Sequence, residues 1–275
     1  MSQLALINRL NELPRINKVL QDLLEMVNQE DVDFNKLANK ITIDQVLSAR
    51  LLRMANSAYF GSGKNISSSN EALIRVGIGP VRTLVVASVL SSAFPKIPTL
   101  DLHEYWENTF EVSVISSKLA EEVGLDKNEA LTTGVLHNIG ELMIHTLAPQ
   151  EAKQIVEQVA SGVDPIIAQQ QVVETCSPAL GAKLAQSWKF PELMVNAISS
   201  FNEPAKAELS KTLAMILHLA RSIHRDWDGF ASDQEKMSYL EGNYEAKQLG
   251  VVPAFSDTIN TIRGEGKGIA SQMFG

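Results

Sequence analysis

The chain contains a single cysteine, Cys176, among its 275 residues. One thiol cannot form an internal disulfide or a cysteine-rich zinc site, and this usage fits a reducing compartment. A long apolar run is also missing, because the longest one, residues 83–93, is interrupted by serines. A membrane span needs roughly 20 apolar residues. No basic segment followed by an apolar one opens the chain, so we expect neither a secretion signal nor a membrane anchor and predict a cytoplasmic protein.

Positive charge is scarce as well, with 24 Lys and Arg against 32 Asp and Glu and a net charge of −8. A broad phosphate-binding surface of the kind that nucleic acids require is therefore not expected, although a local basic patch is compatible with this balance. Hydrophobic residues make up 45% of the chain and charged residues 20%. This usage is typical of a globular protein with a substantial core, in one large domain or two modest ones.

Strand-like alternation is absent, and nearly every periodic segment has helical spacing. The segment 45–59 can begin in two ways: Thr42 can cap it with Gln45 as reciprocal partner, or Asp44 can cap it. The predicted helices cover residues 19–27, 34–41, 45–59, 71–76, 81–94, 105–123, 128–147, 152–160, 165–175, 178–188, 191–200 and 209–224. The sequence therefore predicts an all-α fold with about a dozen helices.

The domain organisation is indicated by Pro95 and Pro98, which bracket a short linker. We expect an N-terminal helical lobe over residues 1–96 and a second helical lobe over residues 101–240, packed on the first. Gly and Pro are frequent after residue 226, which predicts two or three short helices, and residues 241–275 are expected to close the domain.

The first candidate for chemistry is His137, which is followed by Asn138. An adjacent His-Asp pair at such a position can hold a divalent cation through one imidazole and one carboxylate. The neutral amide of Asn138 cannot supply that charge. Buried polar groups are usually satisfied by hydrogen bonds, so the pair on its own favours a structural role.

A second candidate consists of His137, Glu141 and His145. If residues 128–147 form one helix, successive members drift by only about 40° around its axis and share a face. Such a face is able to chelate zinc. The same residues also fit the solvated face of an amphipathic helix, and no H-E-x-x-H pattern occurs. A metal site at this face is therefore an alternative hypothesis.

A third candidate is the segment 34–56, which is similar to a helix-turn-helix. Base recognition requires several donors on the second helix. Such donors exist in the segment: Gln45, Ser48, Arg50, Arg53 and Asn56. Their intervals spread them around the helix, the net charge is acidic, and this geometry is common in helical proteins that bind no DNA. Other motifs are missing, since neither a Walker-type phosphate loop nor a G-x-S-x-G elbow is present.

Several segments carry a family pattern. They are Leu13-Pro14, Ile43-Asp44-Gln45, the run Ala49-Arg50-Leu51-Leu52-Arg53-Met54-Ala55-Asn56-Ser57, Ala72 to Gly77, Trp106, the run Gly134 to Gly140, Gly181-Ala182, Trp188 to Pro191, and Ala197-Ile198. Over roughly residues 13–223 the chain resembles HDOD domains, which are bacterial regulatory modules related to the HD phosphohydrolases. Gln45 departs from the family, which usually has Pro after the Asp, but it suits a first helical turn.

The resemblance implies where the metal ligands of HD phosphohydrolases would fall. The corresponding positions are Asn108, His137, Asn138, Ser177, Phe201, Asn202, Glu203 and Arg221. Only His137 and Glu203 keep the ligand type. Metal-assisted hydrolysis needs several imidazole or carboxylate ligands around one cation, and Arg221 would repel that cation. The resemblance therefore implies a degenerate site with no catalytic residues, no metal and no cofactor.

The function implied is a non-catalytic regulatory module of bacterial signal transduction. Because no accompanying signalling domain is recognisable, we expect it to act in trans, by binding a partner protein or a small ligand. A residual metal-dependent phosphohydrolase is one alternative, and a DNA-binding regulator that uses residues 34–56 is another. Neither a membrane nor a nucleic acid is the expected partner. His137 and Arg221 outline a pocket for an anion, since Arg suits phosphate or carboxylate.

Overall fold

The computed structural model describes residues 3–9, 12, 16–29, 31–56, 60 and 65–274, and no strand occurs among them. The predicted all-α class is therefore confirmed. The α-helices of the described residues are α1 (Gln3–Asn8), α2 (Lys18–Val27), α3 (Phe34–Ile43), α4 (Gln45–Ala55), α5 (Ser69–Val76), α6 (Ile78–Ala93), α7 (Leu102–Glu122), α8 (Lys127–Leu136), α9 (Ile139–Leu147), α10 (Pro149–Ala160), α11 (Pro165–Val173), α12 (Ser177–Ser187), α13 (Glu192–Ser200), α14 (Lys211–Asp226), α15 (Asp233–Gly242), α16 (Tyr244–Leu249), α17 (Phe255–Ile262) and α18 (Glu265–Phe274).

The chain divides into two compact units. The larger unit comprises Met1–Leu13 and Lys96–Gly268, and the smaller unit comprises Pro14–Pro95 and Ile269–Gly275. In the smaller unit, α2 packs against α6 and α3, and α5 packs against α3 and α4. The apolar residues Leu20, Leu23, Leu24 and Val27 of α2 are buried, as expected for an amphipathic helix that faces a core.

The start and the end of α4 are set by two side chains. Asp44 caps the helix, because its Oδ1 accepts a hydrogen bond from the backbone N–H of Leu47 (2.9 Å), whereas the Thr42 hydroxyl donates to the carbonyl of Ala38. Asn56 ends the helix by donating to the carbonyl of Leu52 and accepting from the N–H of Ile66. The helix predicted over residues 45–59 therefore ends too late. Residues 57–59, part of the predicted loop (61–64) and the Leu13-Pro14 pair lie outside the described residues.

In the larger unit, the long helix α7 packs against α8, α14 and α17. The approach of α8 is close at Gly134, where an added Cβ would lie 2.5 Å from the Cα of Ser113. Asp101 caps α7 by accepting from the backbone N–H groups of His103 and Glu104. This cap fixes the first turn of α7, on which part of the site described below is built.

The single helix predicted over residues 128–147 is wrong. The structure has two helices, α8 and α9, which are separated by His137 and Asn138. The reason lies in packing: Gly134 sits against α7, whereas Gly140 sits against α12, where an added Cβ would be 1.9 Å from the carbonyl oxygen of Ser177. The two glycines lie only six residues apart but pack closely against different helices. The chain changes direction between them, so that both close contacts can form.

The C-terminal part has four short helices, α15 to α18, and a 3₁₀ turn, Trp227–Gly229, in the described residues. The prediction of two or three helices was therefore too low. Each break has a local cause: Ser232 caps α15, Asn243 caps α16, and Gly250 ends α16 in the left-handed conformation with φ 74°.

Among the described residues no single helix is long and apolar enough to cross a membrane, and only α5 and α6, bent by 114° relative to each other, reach that length and hydropathy as a pair.

Candidate functional site

A cavity of about 340 Å³ lies in the larger unit, between α7, the α8–α9 junction and α14. Helix α7 contributes Tyr105 and Asn108, and α14 contributes Arg221. The junction contributes His137 and Asn138, whose side chains reach the cavity because the helix breaks there. Four positions that the family resemblance assigned to metal ligands are thus brought together by three separate elements.

The other assigned positions lie outside the cavity lining. Phe201 and Asn202 follow α13 and contact the side chain of Arg221. Ser177 is buried at the contact between α12 and α9, and its N–H donates to the side chain of Gln169. Glu203 is exposed and pairs with Lys206.

His137 is held as a neutral imidazole. Its Nδ1 lies 2.6 Å from the carbonyl oxygen of Gly134, so Nδ1 carries the proton and donates it. The ring stands edge-on to Phe201, with the centroids 5.6 Å apart. Burial, reinforced by the charge of Arg221, lowers the pKa of His137 to about 3. The imidazole therefore stays uncharged over the physiological range.

Asn138 is bonded to α7. The hydroxyl of Tyr105 donates to its Oδ1 at 2.8 Å, and its Nδ2 donates to the hydroxyl of Thr109 at 3.1 Å. A neutral amide that exchanges hydrogen bonds with two hydroxyls is well satisfied in a partly buried site. An aspartate at this position would add a negative charge, and Asn138 adds none.

Arg221 places its guanidinium carbon 4.9 Å from the centre of the Phe201 ring. Its Nη1 donates to Oδ1 of Asn202 at 3.2 Å. Among the described residues no carboxylate forms an ion pair with it. Burial lowers the pKa of Arg221 and the nearby charge of Glu141 raises it, but a guanidinium stays protonated in proteins. The cavity therefore contains a fixed positive charge with donor N–H groups to spare.

Glu141 also lines the cavity, one turn after the junction. Burial raises the pKa of Glu141, and the positive charge of Arg221 lowers it in part. Within the described residues its carboxyl group makes no hydrogen bond or ion pair. His145 does not join it, because the Nδ1 of His145 is bonded to the Thr99 hydroxyl at 2.9 Å. The predicted shared face of His137, Glu141 and His145 was wrong, since the helix that would carry it is broken.

A further set of contacts leads away from the cavity. Nη1 of Arg263 can only donate, so Nδ1 of His224 accepts from it at 3.2 Å and Nε2 of His224 carries the proton. Nε2 then donates to Oδ1 of Asn108, also at 3.2 Å. Burial, followed by the charge of Arg263, lowers the pKa of His224. The sequence reasoning missed Tyr105 and His224, although each lies three residues from a predicted site position on the same helix.

The side chains at the assigned ligand positions do not fit a metal ion. Of the assigned ligand positions, His137 presents one imidazole nitrogen, Asn108 and Asn138 present neutral amides, and Arg221 presents a cation. Among the described residues, no three His, Cys, Asp or Glu side chains are grouped as metal ligands. Hard divalent cations require several anionic oxygens, and zinc requires several imidazoles or thiolates.

The HDOD family model matches residues 13–204, well over half of the chain. The chain therefore belongs to the HDOD family, which confirms the resemblance drawn from the motifs. A curated relative, an uncharacterized protein of Treponema pallidum, is 25% identical over 232 residues, which is 82% of this chain and 44% of that protein. The chain thus spans less than half of the length of the curated relative.

Two solved structures are similar over nearly the whole chain. One comes from Shewanella amazonensis SB2B, bears a name that suggests a phosphohydrolase, and is 36% identical with a TM-score of 0.84 over 98% of both chains. The other is an HDOD domain protein of unknown function from Geobacter sulfurreducens, which is 21% identical with a TM-score of 0.81 over 99% of this chain and 98% of that one. The second comparison shows the fold alone.

Proposed function

We propose that this HDOD protein is a non-catalytic regulatory module of a bacterial signalling pathway, which acts in the cytoplasm by binding a partner protein or a small ligand. The observation that carries the proposal is the guanidinium of Arg221 in the cavity, beside the neutral His137 and the amide of Asn138. At the positions assigned to the metal ligands, a cation would face a fixed positive charge, two neutral amides and one imidazole lone pair. Such a donor set cannot lower the pKa of a metal-bound water.

The first experiment measures metal content and turnover. The purified chain is incubated with Mn²⁺, Ni²⁺ or Zn²⁺, desalted and analysed by mass spectrometry, and hydrolysis of bis-p-nitrophenyl phosphate and p-nitrophenyl phosphate is followed. We expect no stoichiometric metal and no turnover above that of a His137→Ala variant. A bound metal together with phosphoester hydrolysis that the His137→Ala change abolishes would refute the proposal.

A matched variant tests whether the residues rather than the scaffold decide this result. In Asn138→Asp/Arg221→Asp, two carboxylates stand next to the imidazole of His137, and the positive charge is gone. We expect this variant to gain binding of Mn²⁺ that the parent lacks, because charge and ligand type select the ion. Circular dichroism verifies that the variant is folded before its affinity is compared.

The binding part of the proposal needs a defined complex. A partner recovered from cells that express the tagged chain would be purified separately and mixed with it, and the mass of the complex would be measured by light scattering. A stable complex of fixed stoichiometry supports a binding module. If neither a partner nor a ligand forms such a complex, the proposed mode of action is wrong.

A residual phosphohydrolase remains the second candidate, because His137 and Glu141 line one cavity and because the Shewanella relative bears a phosphohydrolase name. The turnover experiment decides between the two. The DNA-binding alternative finds less support: Nη1 of Arg50 donates to the Ser88 hydroxyl, the Ser48 hydroxyl bonds to that of Ser69, and Asn56 is used in ending α4. These groups serve the fold of the smaller unit.

A further inference from the structure

The cavity is lined by one cationic and three acidic side chains. The cation is Arg221, which has no ion-pair partner among the described residues. Of the acidic side chains, Glu141 has no bonded partner in the same part of the chain, and Asp101 and Glu104 are exposed at the start of α7. A ligand that carried only one sign of charge would be attracted by the side chains of opposite charge and repelled by the others.

Asn108 adds a neutral donor, because the contacts beside it fix its orientation. Arg263 donates to His224, and His224 in turn donates to Oδ1 of Asn108. The amide oxygen is thereby occupied. The Nδ2 group of Asn108 has no hydrogen-bond partner among the described residues, so a second side chain with free N–H donors lines the same cavity as Arg221. Two donors of this kind suit the oxygens of a carboxylate or a phosphate.

The balance of charge distinguishes between classes of anion. Three carboxyl groups, those of Asp101, Glu104 and Glu141, line the cavity together with one guanidinium. A simple anion, above all a doubly charged one, is attracted by Arg221 but repelled by the three carboxyl groups. The repulsion would offset much of the attraction. A ligand with a cationic amine a few bonds from its anionic group would be attracted both by the carboxyl groups and by Arg221. The volume of about 340 Å³ is at the small end for ligand sites and suits a small metabolite.

We propose that this cavity binds a small zwitterion, with its carboxylate or phosphate on Arg221 and Asn108 and its amine toward Glu141 and the acidic residues Asp101 and Glu104. The proposal rests on the proposed binding function and names the class of ligand. It involves no covalent step, and the ligand leaves unchanged.

The experiment titrates the full chain with matched probes and follows amide chemical shifts by NMR, which detects millimolar affinities. The zwitterions are β-alanine, γ-aminobutyrate and O-phosphoethanolamine. Their matched anions are propionate, butyrate and inorganic phosphate, and ethylamine is the matched cation. We expect at least one zwitterion to bind about tenfold more tightly than both its matched anion and ethylamine, since each charge-assisted hydrogen bond contributes this much. The carboxylate and phosphate arms show which anionic group is preferred.

Variants then test which residues bind the anionic group of the ligand and which bind its amine. Arg221→Gln should weaken binding of the zwitterion by about tenfold or more, and Glu141→Gln should narrow the difference between the zwitterion and its matched anion. Arg225→Gln is the control, because Arg225 lies one turn further along α14, is exposed and pairs with Asp226. It should bind like the parent chain.

The comparison of probes on the parent chain decides the matter even if Arg221→Gln fails to fold. The proposal is overturned if a simple anion binds as tightly as the zwitterion of the same length, or if no zwitterion shifts the resonances of the cavity residues. Those outcomes differ from failure of the proposed function, which would be recognised by a bound metal and by phosphoester turnover.

Discussion

At the scale of single residues, the cavity differs from a metal centre in the charge of its side chains. Asn138 has nearly the size of an aspartate but carries no charge, and Arg221 is a cation. Both side chains are held by their surroundings, because Tyr105 donates to Asn138 and Phe201 lies beneath the guanidinium of Arg221. Asn138 and Arg221 are therefore accommodated in the fold, as buried polar groups generally are.

Because the imidazole of His137 is buried, we expect the free energy of unfolding to depend on pH. Its pKa is about 3 in the folded chain, against an ordinary value near 6.5. The unfolded chain therefore binds a proton first, and the stability contributed by the neutral ring is present above pH 6.5 and is lost as the pH falls toward 3. Between pH 7.5 and 5 the parent chain should lose about 2 kcal/mol more than a His137→Gln variant.

Urea denaturation of both chains at a series of pH values measures this difference. Burial also lowers the pKa of His145 and of His224. Both histidines are present in the two chains, so their contributions cancel in the comparison. Parallel plots of unfolding free energy against pH would contradict the prediction.

At the scale of the helices, much was predictable from the sequence. The extent of α2, the capping by Asp44 as one of two options, and the end of α7 follow from spacing and from cap residues, whereas α7 begins three residues earlier than predicted. The break between α8 and α9 was not predictable in this way, because residues 128–147 keep a continuous helical pattern. Close packing of two glycines on different neighbours determines the break, and such contacts are invisible to local periodicity.

The break leads to a prediction for Gly140. An added Cβ would lie 1.9 Å from the carbonyl oxygen of Ser177, which is backbone and cannot move aside without shifting α12. Alanine is the better helix former by about 1 kcal/mol, but the overlap outweighs that gain. Gly140→Ala should therefore lower the free energy of unfolding by about 2 kcal/mol or more.

The control for this change is Gly268→Ala in α18, where an added Cβ meets nothing within 4 Å. It should be neutral or slightly stabilising, by up to about 1 kcal/mol. Thermal unfolding of the two variants beside the parent chain gives both values. Equal stability of the Gly140 and Gly268 variants would show that the packing of α9 on α12 is looser than the structure indicates.

At the scale of the whole molecule, the site could be predicted only as far as the family motifs reach. The resemblance named His137, Asn138 and Arg221, and the structure places them around one cavity. Glu141 had been considered only for a metal, and Arg263 was not considered. Residues more than a hundred positions apart in the sequence, such as Asn108 and His224, meet through the tertiary fold and carry no local signal.

The contacts beyond the cavity connect it with the segment that leads into α18. Asn108 bonds His224, His224 bonds Arg263, and Arg263 bonds Oε1 of Glu111 at 3.1 Å. The same carboxylate accepts from the backbone N–H of Gly264 at 2.8 Å. A ligand that draws Asn108 toward itself would act on this chain of bonds. Such an effect requires that the ligand bind two states of the segment with different affinities.

Glu111→Ala should release that segment. The carboxylate is buried and accepts from Arg263, Gly264 and Gly266, so its removal leaves two backbone N–H groups without their acceptor. Arg263 keeps its contacts with Asp228 and His224. A buried donor that is left without its acceptor typically costs about 1–3 kcal/mol. We expect a lower free energy of unfolding by this amount, and faster hydrogen exchange at the amides of Gly264 and Gly266.

Glu107→Ala serves as the matched control, one turn earlier on α7, since Glu107 reaches Lys267 only at 3.9 Å. It should change stability by less than about 0.5 kcal/mol. Exchange rates distinguish local release from global loss, because destabilisation of the whole unit would accelerate its most protected amides equally. If the two amides stay as protected in Glu111→Ala as in the parent chain, the buried carboxylate does not hold the segment, and the chain of bonds from the cavity ends at Arg263.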